Sequence, residues 1–347
     1  MAKMIPVIMN SSFVRLAVIE DYISFIWTER YYDCGDFELC VAASVNYMTL
    51  FKKDYYVVRD DSENVGIIED IRIQRNEDGF DMLIVSGRFL SSILGRRIIA
   101  TQTTVNGTIS NCVNQLILQN VIEPSDASRT ISNFTVGSYS ITDAIKAQYT
   151  GKNLLETISD ICRTYKVGFK VTLNEDHEFV FTMYKGKDRT YNQTTNTYVI
   201  FSDEYDNLLS SEYEENYQNI ATAVLVAGEG EGLDRKTKWV TDGSTGLARH
   251  EVYKDQRQLQ SNDGEITAEE YDELLEEAGE ESLTQYTTAF SGEVYFDNVV
   301  YKQDVDLGDL CVIENSRWGI HLYSRLVEVI ESTSETGEYS IVPTFGV

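Results

Sequence analysis

Short apolar runs broken by polar turn clusters fill the first hundred residues, and their spacing constrains the fold more than any other feature. Residues 22–27 alternate in part and residues 37–41 alternate cleanly, as a half-buried strand does. Lys52-Lys53-Asp54 and the cluster 60–64 are polar turns between the runs 55–58 and 65–68. Asn76-Glu77-Asp78-Gly79 ends in Asp-Gly, a hairpin signal, because Gly accepts the positive φ of a tight turn. The run 82–86 leads into residues 87–99. That segment reads as a strand, a short helical turn and a return strand, with Arg96 and Arg97 at the turn. Short strands so spaced predict a barrel or a sandwich. The 22 Tyr beside only 3 Pro fit pleated, half-buried surfaces.

From about residue 105 the period changes. Ile109, Val113, Leu116, Ile117 and Val121 recur at helical spacing and predict a helix over 108–121. Asn153 with Glu156 forms a capping start, Leu154, Ile158, Ile161 and Tyr165 form one apolar stripe, and Gly168 lies just past the expected end. Strands over 169–173 and 178–184 follow, so this stretch reads as a small α/β unit inserted between two β regions. Residues 195–347 return to strands. One excursion, about 255–282, carries a helix, with the capping box Thr267/Glu270 and an apolar face of Tyr271, Leu274, Leu275 and Ala278.

The formal charge is −27. Tight nucleic-acid binding needs clustered Lys and Arg to displace counterions, so affinity for DNA is not expected. Two readings of the acidity stay open: it keeps the protein soluble, or it lines a channel that a polyanion traverses without sticking. No apolar run reaches the roughly 18 residues of a membrane span, and no signal peptide precedes the first strand, so no membrane anchor is expected. The five cysteines (34, 40, 112, 162 and 311) lack Cys-x-x-Cys spacing and read as reduced, buried thiols of a protein made in a cytoplasm. A Cys34–Cys40 disulfide across a hairpin is the alternative.

Catalytic patterns are weak. His177, His250 and His321 lack ligand spacing, and no Gly-x-Ser-x-Gly elbow is present. Gly228-Glu229-Gly230-Glu231-Gly232 puts carboxylates where a phosphate cradle would place amides and Lys, so a turn is the better reading. Neither an enzyme, a cofactor nor a metal site is expected. Arg96 and Arg97 admit two roles: a charge-assisted bond to a neighbouring subunit, or an intrachain pair that fixes the turn. Asp188-Arg189 reads as a turn-fixing pair.

The 82–99 segment also resembles the signature of siphophage tail-tip hub proteins, found at the end of long non-contractile tails. Other matching segments follow in that family's order: residues 27–39, 66–69, 184–190, 199–202, 206–208, 224–232, then Asp306-Leu307-Gly308-Asp309-Leu310 and Thr344-Phe345-Gly346. Ala248 departs from the pattern, where the family tends to carry a second charged residue.

The resemblance implies a mainly β chain with an α/β insertion (α+β) and two β-barrel tube-like domains. Residues 1–104 would form the first barrel, 105–195 the inserted α/β domain, and 196–347 the second barrel, with its helical insertion at about 255–282. It further implies a homotrimeric baseplate hub at the tail tip of a virion assembled in bacterial cytoplasm. Its partners would be the distal tail protein, the tape measure protein and a central tail fibre or tip protein, with DNA only in transit. Arg96, Arg97, Asp188, Arg189 and Asp309 are the candidate structural or interface residues. Two other roles are weighed: cell-wall degradation, for which a second barrel ending at Val347 leaves no appended domain, and carbohydrate binding, for which the tyrosines would supply stacking faces.

Overall fold

The computed structural model describes residues 4–346 apart from 76, 78, 206, 209, 285–286 and 292–298. The fold is mainly β. Its largest element is an open sheet built from both ends of the chain. Across it the order is Glu212–Asn216, Thr287–Ser291, Tyr339–Gly346, Ile320–Ser334, Tyr22–Arg30, Asp36–Ala42, Asp81–Arg88 and Asp70–Arg75. Every neighbouring pair on this path is antiparallel. Leu310–Asn315 branches from Ile320–Ser334 and carries the parallel strand Ile200–Ser202. Among the described residues no barrel closes, and strands from both expected barrels share this one sheet.

Strand alternation sets where the core lies. Phe25, Trp27, Leu39, Leu83 and Val85 are buried together beneath the N-terminal half. Phe290, Leu326, Val329, Ile341 and Phe345 are buried beneath the C-terminal half. The two halves meet where Ile320–Ser334 pairs with Tyr22–Arg30.

The inserted stretch holds the helices expected at 108–121 and after Asn153, with instructive differences. The helix Ile109–Ile117 is capped by Thr108 and widens into a π turn over Leu118–Ile122. The helix Leu154–Tyr165 starts at Asn153, whose side chain accepts the N–H groups of Leu155 and Glu156. Its left-handed cap is Lys166, at φ 55°, rather than Gly168. Gly168 instead opens the strand Gly168–Leu173, where a Cβ would lie 2.4 Å from the Tyr31 ring. That glycine answers a packing demand, not a turn. The return strand expected after Arg97 is reduced to an isolated bridge between Ile98 and Asn153; Leu90–Arg96 is a 3-10 turn.

The helix Ala268–Glu280 carries the expected capping box and buries Tyr271, Leu274, Leu275 and Ala278. It packs on a small sheet of Thr237–Thr241, Ala223–Ala227 and Glu251–Asp255. The Asp-Gly turn signal falls on Asn76 and Asp78, outside the described residues; the flanking strands pair with Arg75 opposite Asp81. All five cysteines are free thiols, and burial pushes the Cys34 thiol up to about 12. No described helix is long and apolar enough to cross a membrane.

Candidate functional site

Three parts of the chain meet at Tyr31, which is fully buried at the end of the strand Tyr22–Arg30. Its hydroxyl accepts the Gly186 N–H at 3.1 Å and lies 3.3 Å from the carbonyl oxygens of Lys166 and Tyr184. Its ring packs edge-on to Tyr184, and the Arg325 guanidinium lies 5.7 Å from the ring centre. Gly308 touches the same ring; a Cβ there would be 2.2 Å away. The N-terminal sheet, the inserted unit and the C-terminal strands are therefore pinned at one residue.

Beside this pin, Asp309 joins the second and third parts. It is 1% exposed. It accepts a hydrogen bond and ion pair from Arg189 Nε, and N–H bonds from Lys187 at 2.6 Å and Asp306 at 3.1 Å. Asp188 does not pair with Arg189. Its carboxylate accepts the Thr190 N–H at 2.8 Å and shapes the local turn. Gly186 and Gly308 let the two backbones touch: a Cβ on Gly186 would fall 1.8 Å from the Gly308 oxygen.

A layer of charge lies against the sheet next to this junction, with Glu29, Arg59 and Glu331 buried and Asp61 and Lys302 on its open side. Glu29 binds Lys302 at 2.8 Å, Tyr301 at 2.7 Å and Asn64 at 3.0 Å. Arg59 bridges Asp61 and Glu331 with its guanidinium 5.5 Å from the Trp27 ring centre, and Tyr339 donates to Glu331 at 2.8 Å. Burial alone would raise the Glu29 carboxyl, but Lys302 and the three hydrogen bonds outweigh it and hold the group below its ordinary range. Burial likewise opposes the charge on Lys302, and Glu29 overcomes it.

This layer forms one wall of a polar cleft of about 330 Å³. Glu29, Asp33, Asp61, Glu63 and Asp306 line it with Arg30, Lys170 and Lys302, so acidic groups outnumber basic ones. Asp306 is exposed at the cleft; partial desolvation of its carboxyl, then Asp309 and Glu29, hold it above the ordinary carboxylate range. A carboxyl with a raised folded pKa stabilises most when protonated. That contribution is complete below the unfolded pKa of about 3.9 and is lost as pH rises through the folded value. Asp306→Asn keeps the oxygen that accepts the Leu307 N–H at 2.8 Å. It is expected to melt higher than wild type at pH 7–8 and to show no gain near pH 4. Melting curves across that range check this; equal curves at both ends would remove the assignment.

Among the described residues, no three His, Cys, Asp or Glu side chains converge as metal ligands. His177 stacks on Phe13 at 4.9 Å, and His321 lies 3.1 Å from Glu314 near the surface. What the site can do is hold three segments in fixed relation while presenting carboxylates to solvent.

A family model described as Siphovirus ReqiPepy6 Gp37-like protein matches residues 5–347. The chain belongs to this family. No protein with a curated description matches it in sequence. Its fold is similar to that of a tail protein from Neisseria meningitidis MC58, at 14% identity and a TM-score of 0.59, over 99% of this chain and 97% of that one. The prophage MuSo2 43 kDa tail protein from Shewanella oneidensis matches at 14% and 0.57, over 98% of each chain. The prophage tail protein gp18 from Listeria monocytogenes EGD-e matches at 11% and 0.54, over 99% and 94%. These likenesses establish a shared fold.

In this member of the family the arginine pair splits. Arg96 reaches Asp54 at 3.2 Å on the surface. Arg97 donates to the backbone oxygens of Arg129 at 2.8 Å and Arg96 at 2.9 Å, and so ties the 3-10 turn to residues 127–129. Glu29, Tyr31, Arg59, Lys302 and Glu331 were not singled out as site residues from sequence, because each draws its role from partners far along the chain.

Proposed function

We propose that this protein is a structural component of a siphophage tail tip, a trimeric baseplate hub that closes the tail tube and later opens a channel for tape measure and DNA. The observation that carries this reading is the family match over residues 5–347, joined to a whole-length fold likeness to three phage tail proteins. Each subunit would present two barrel-like tube halves, residues 1–104 and 196–347, with 105–195 inserted between them. Three subunits would then match a sixfold tail above, beside the distal tail protein, the tape measure protein and a central fibre or tip protein.

The charge supports a passive conduit. Three copies would carry about −81, three times −27, and carboxylates facing a lumen would repel a passing polyanion. Asp309 with Arg189 would tie the inserted unit to the second tube half, and Asp188, Arg96 and Arg97 would fix local turns. No step of this work needs a catalytic group or a cofactor. Electron microscopy of the purified protein tests the reading. A threefold ring with a central hole is expected. Single compact subunits, even after co-expression with the neighbouring tail proteins, would overturn it.

A further inference from the structure

The open sheet ends in two edge strands of opposite charge. One edge is Asp70–Arg75, with Arg72, Arg75 (paired to Asp81 on the next strand) and Asp70, a net positive strand; the other is Glu212–Asn216, with Glu212, Glu214 and Glu215. Each pairs with a strand on one side only, among the described residues. An open strand edge is a row of backbone groups ready to accept another strand. Natural edges are blunted by bulges, prolines or charged side chains; these two carry charge of opposite net sign, and their pairings run without a register shift. Ile73 is 53% exposed on the first edge, an apolar side chain left half uncovered.

We infer that these two edges are the seam between copies, with Asp70–Arg75 of one subunit pairing antiparallel with Glu212–Asn216 of the next. The inference deepens the ring reading above and rests on it. Three observations lead to it. The first is direction. Eight strands alternate along the sheet, so its two edges run oppositely. A neighbour related by rotation about a ring axis would therefore bring them together antiparallel, continuing the ladder unbroken. The second is charge. Two-fold pairing of the second edge with itself sets Glu against Glu, whereas the head-to-tail arrangement brings Arg72 to those carboxylates. Head-to-tail contacts close into rings when the rotation permits.

The third observation is the face each side chain occupies, since a one-residue slip moves every side chain to the other face. Ile71 lies opposite the buried Val85, and Tyr213 lies opposite the buried Phe290, so both face the core side. Arg72 and Glu214 then share the other face. Setting Arg72 opposite Glu214 places Ile73 opposite Tyr213, Gln74 opposite Glu212 and Asp70 opposite Asn216. This register covers the exposed Ile73 and sets no like charges directly across. Shifting by two residues in one direction puts Asp70 against Glu214; the other direction puts the exposed Ile73 against Glu215, where the chosen register sets only the half-buried Ile71.

The full-length single variants Arg72→Cys and Glu214→Cys, and the double variant, test this. Cross-strand neighbours are close enough for a disulfide. Under mild oxidation the mixed single variants are expected to link position 72 of one chain to position 214 of another. The double variant is expected to give linked dimers and trimers, and neither single variant to link to itself beyond the wild-type background. A trimeric ring without the 72–214 link would overturn this seam and leave the hub reading standing. Self-linking of either single variant would mean a two-fold contact and would also overturn it. Chains that stay monomeric and unlinked would overturn both. As a second arm, Arg72→Glu is expected to weaken assembly at least about tenfold, since like charges across a seam repel strongly; adding Glu214→Arg is expected to restore it.

Discussion

Asp309→Ala is expected to cost about 3–5 kcal/mol of folding stability, the range for breaking a buried ion pair by removing one partner. The side chain it leaves behind decides the size of the effect. Arg189 is 10% exposed at its side chain and cannot shed its proton, so without Asp309 a full charge stays buried and unpaired. The N–H groups of Lys187 and Asp306 lose their acceptor in the same step. Replacing both partners, as in Arg189→Met with Asp309→Leu, removes the stranded charge and is expected to cost clearly less. Denaturant midpoints followed by tryptophan fluorescence measure both. A single variant within about 1 kcal/mol of wild type would mean that the pair contributes only what a surface salt bridge does.

The same pair shows where a sequence stops informing. Asp309 and Arg189 each stood in a recognisable turn motif, but their partnership spans 120 residues and no local pattern encodes it. Local signals served well where the physics is local. The Asn153 cap and the Thr267/Glu270 capping box set helix starts through bonds made within three residues. They gave the helix end near Tyr165 but not its cap, which is Lys166, because Gly168 answers to Tyr31, a residue more than a hundred positions earlier. Sheet order failed to show for the same reason. Alternation reveals that residues 22–30 form a strand, not that their neighbour is Ile320–Ser334. That one pairing merges the two expected barrels into a shared sheet. It also brings Glu29 to Lys302 and Glu331 to Arg59, so the charge layer follows from topology rather than from any motif.

Tyr31→Ala is expected to cost a further about 3–5 kcal/mol on its own, the range for truncating a buried aromatic ring. Here the cavity would open where three segments touch: against Gly168, Tyr184 and Gly308 at once. Two of those neighbours are glycines, which have no side chain to move into the space, so any refilling falls to Tyr32, Tyr184 and Arg325 around the rest of the ring. Tyr31→Phe keeps the ring and removes only the hydroxyl, which accepts the Gly186 N–H at 3.1 Å; about 1 kcal/mol is expected for that. The contrast separates packing from hydrogen bonding and tests the pin directly. Hydrogen exchange should quicken at residues 166–168, 184–186 and 308 in Tyr31→Ala, and scarcely change in Tyr31→Phe. Uniform loss of protection across the whole sheet would instead mean that Tyr31 serves general stability. If the fixed relation of the two sheet halves is what lets opposite edges meet around a ring, Tyr31→Phe should still assemble. Tyr31→Ala should remain folded at low temperature yet give fewer rings by mass measurement.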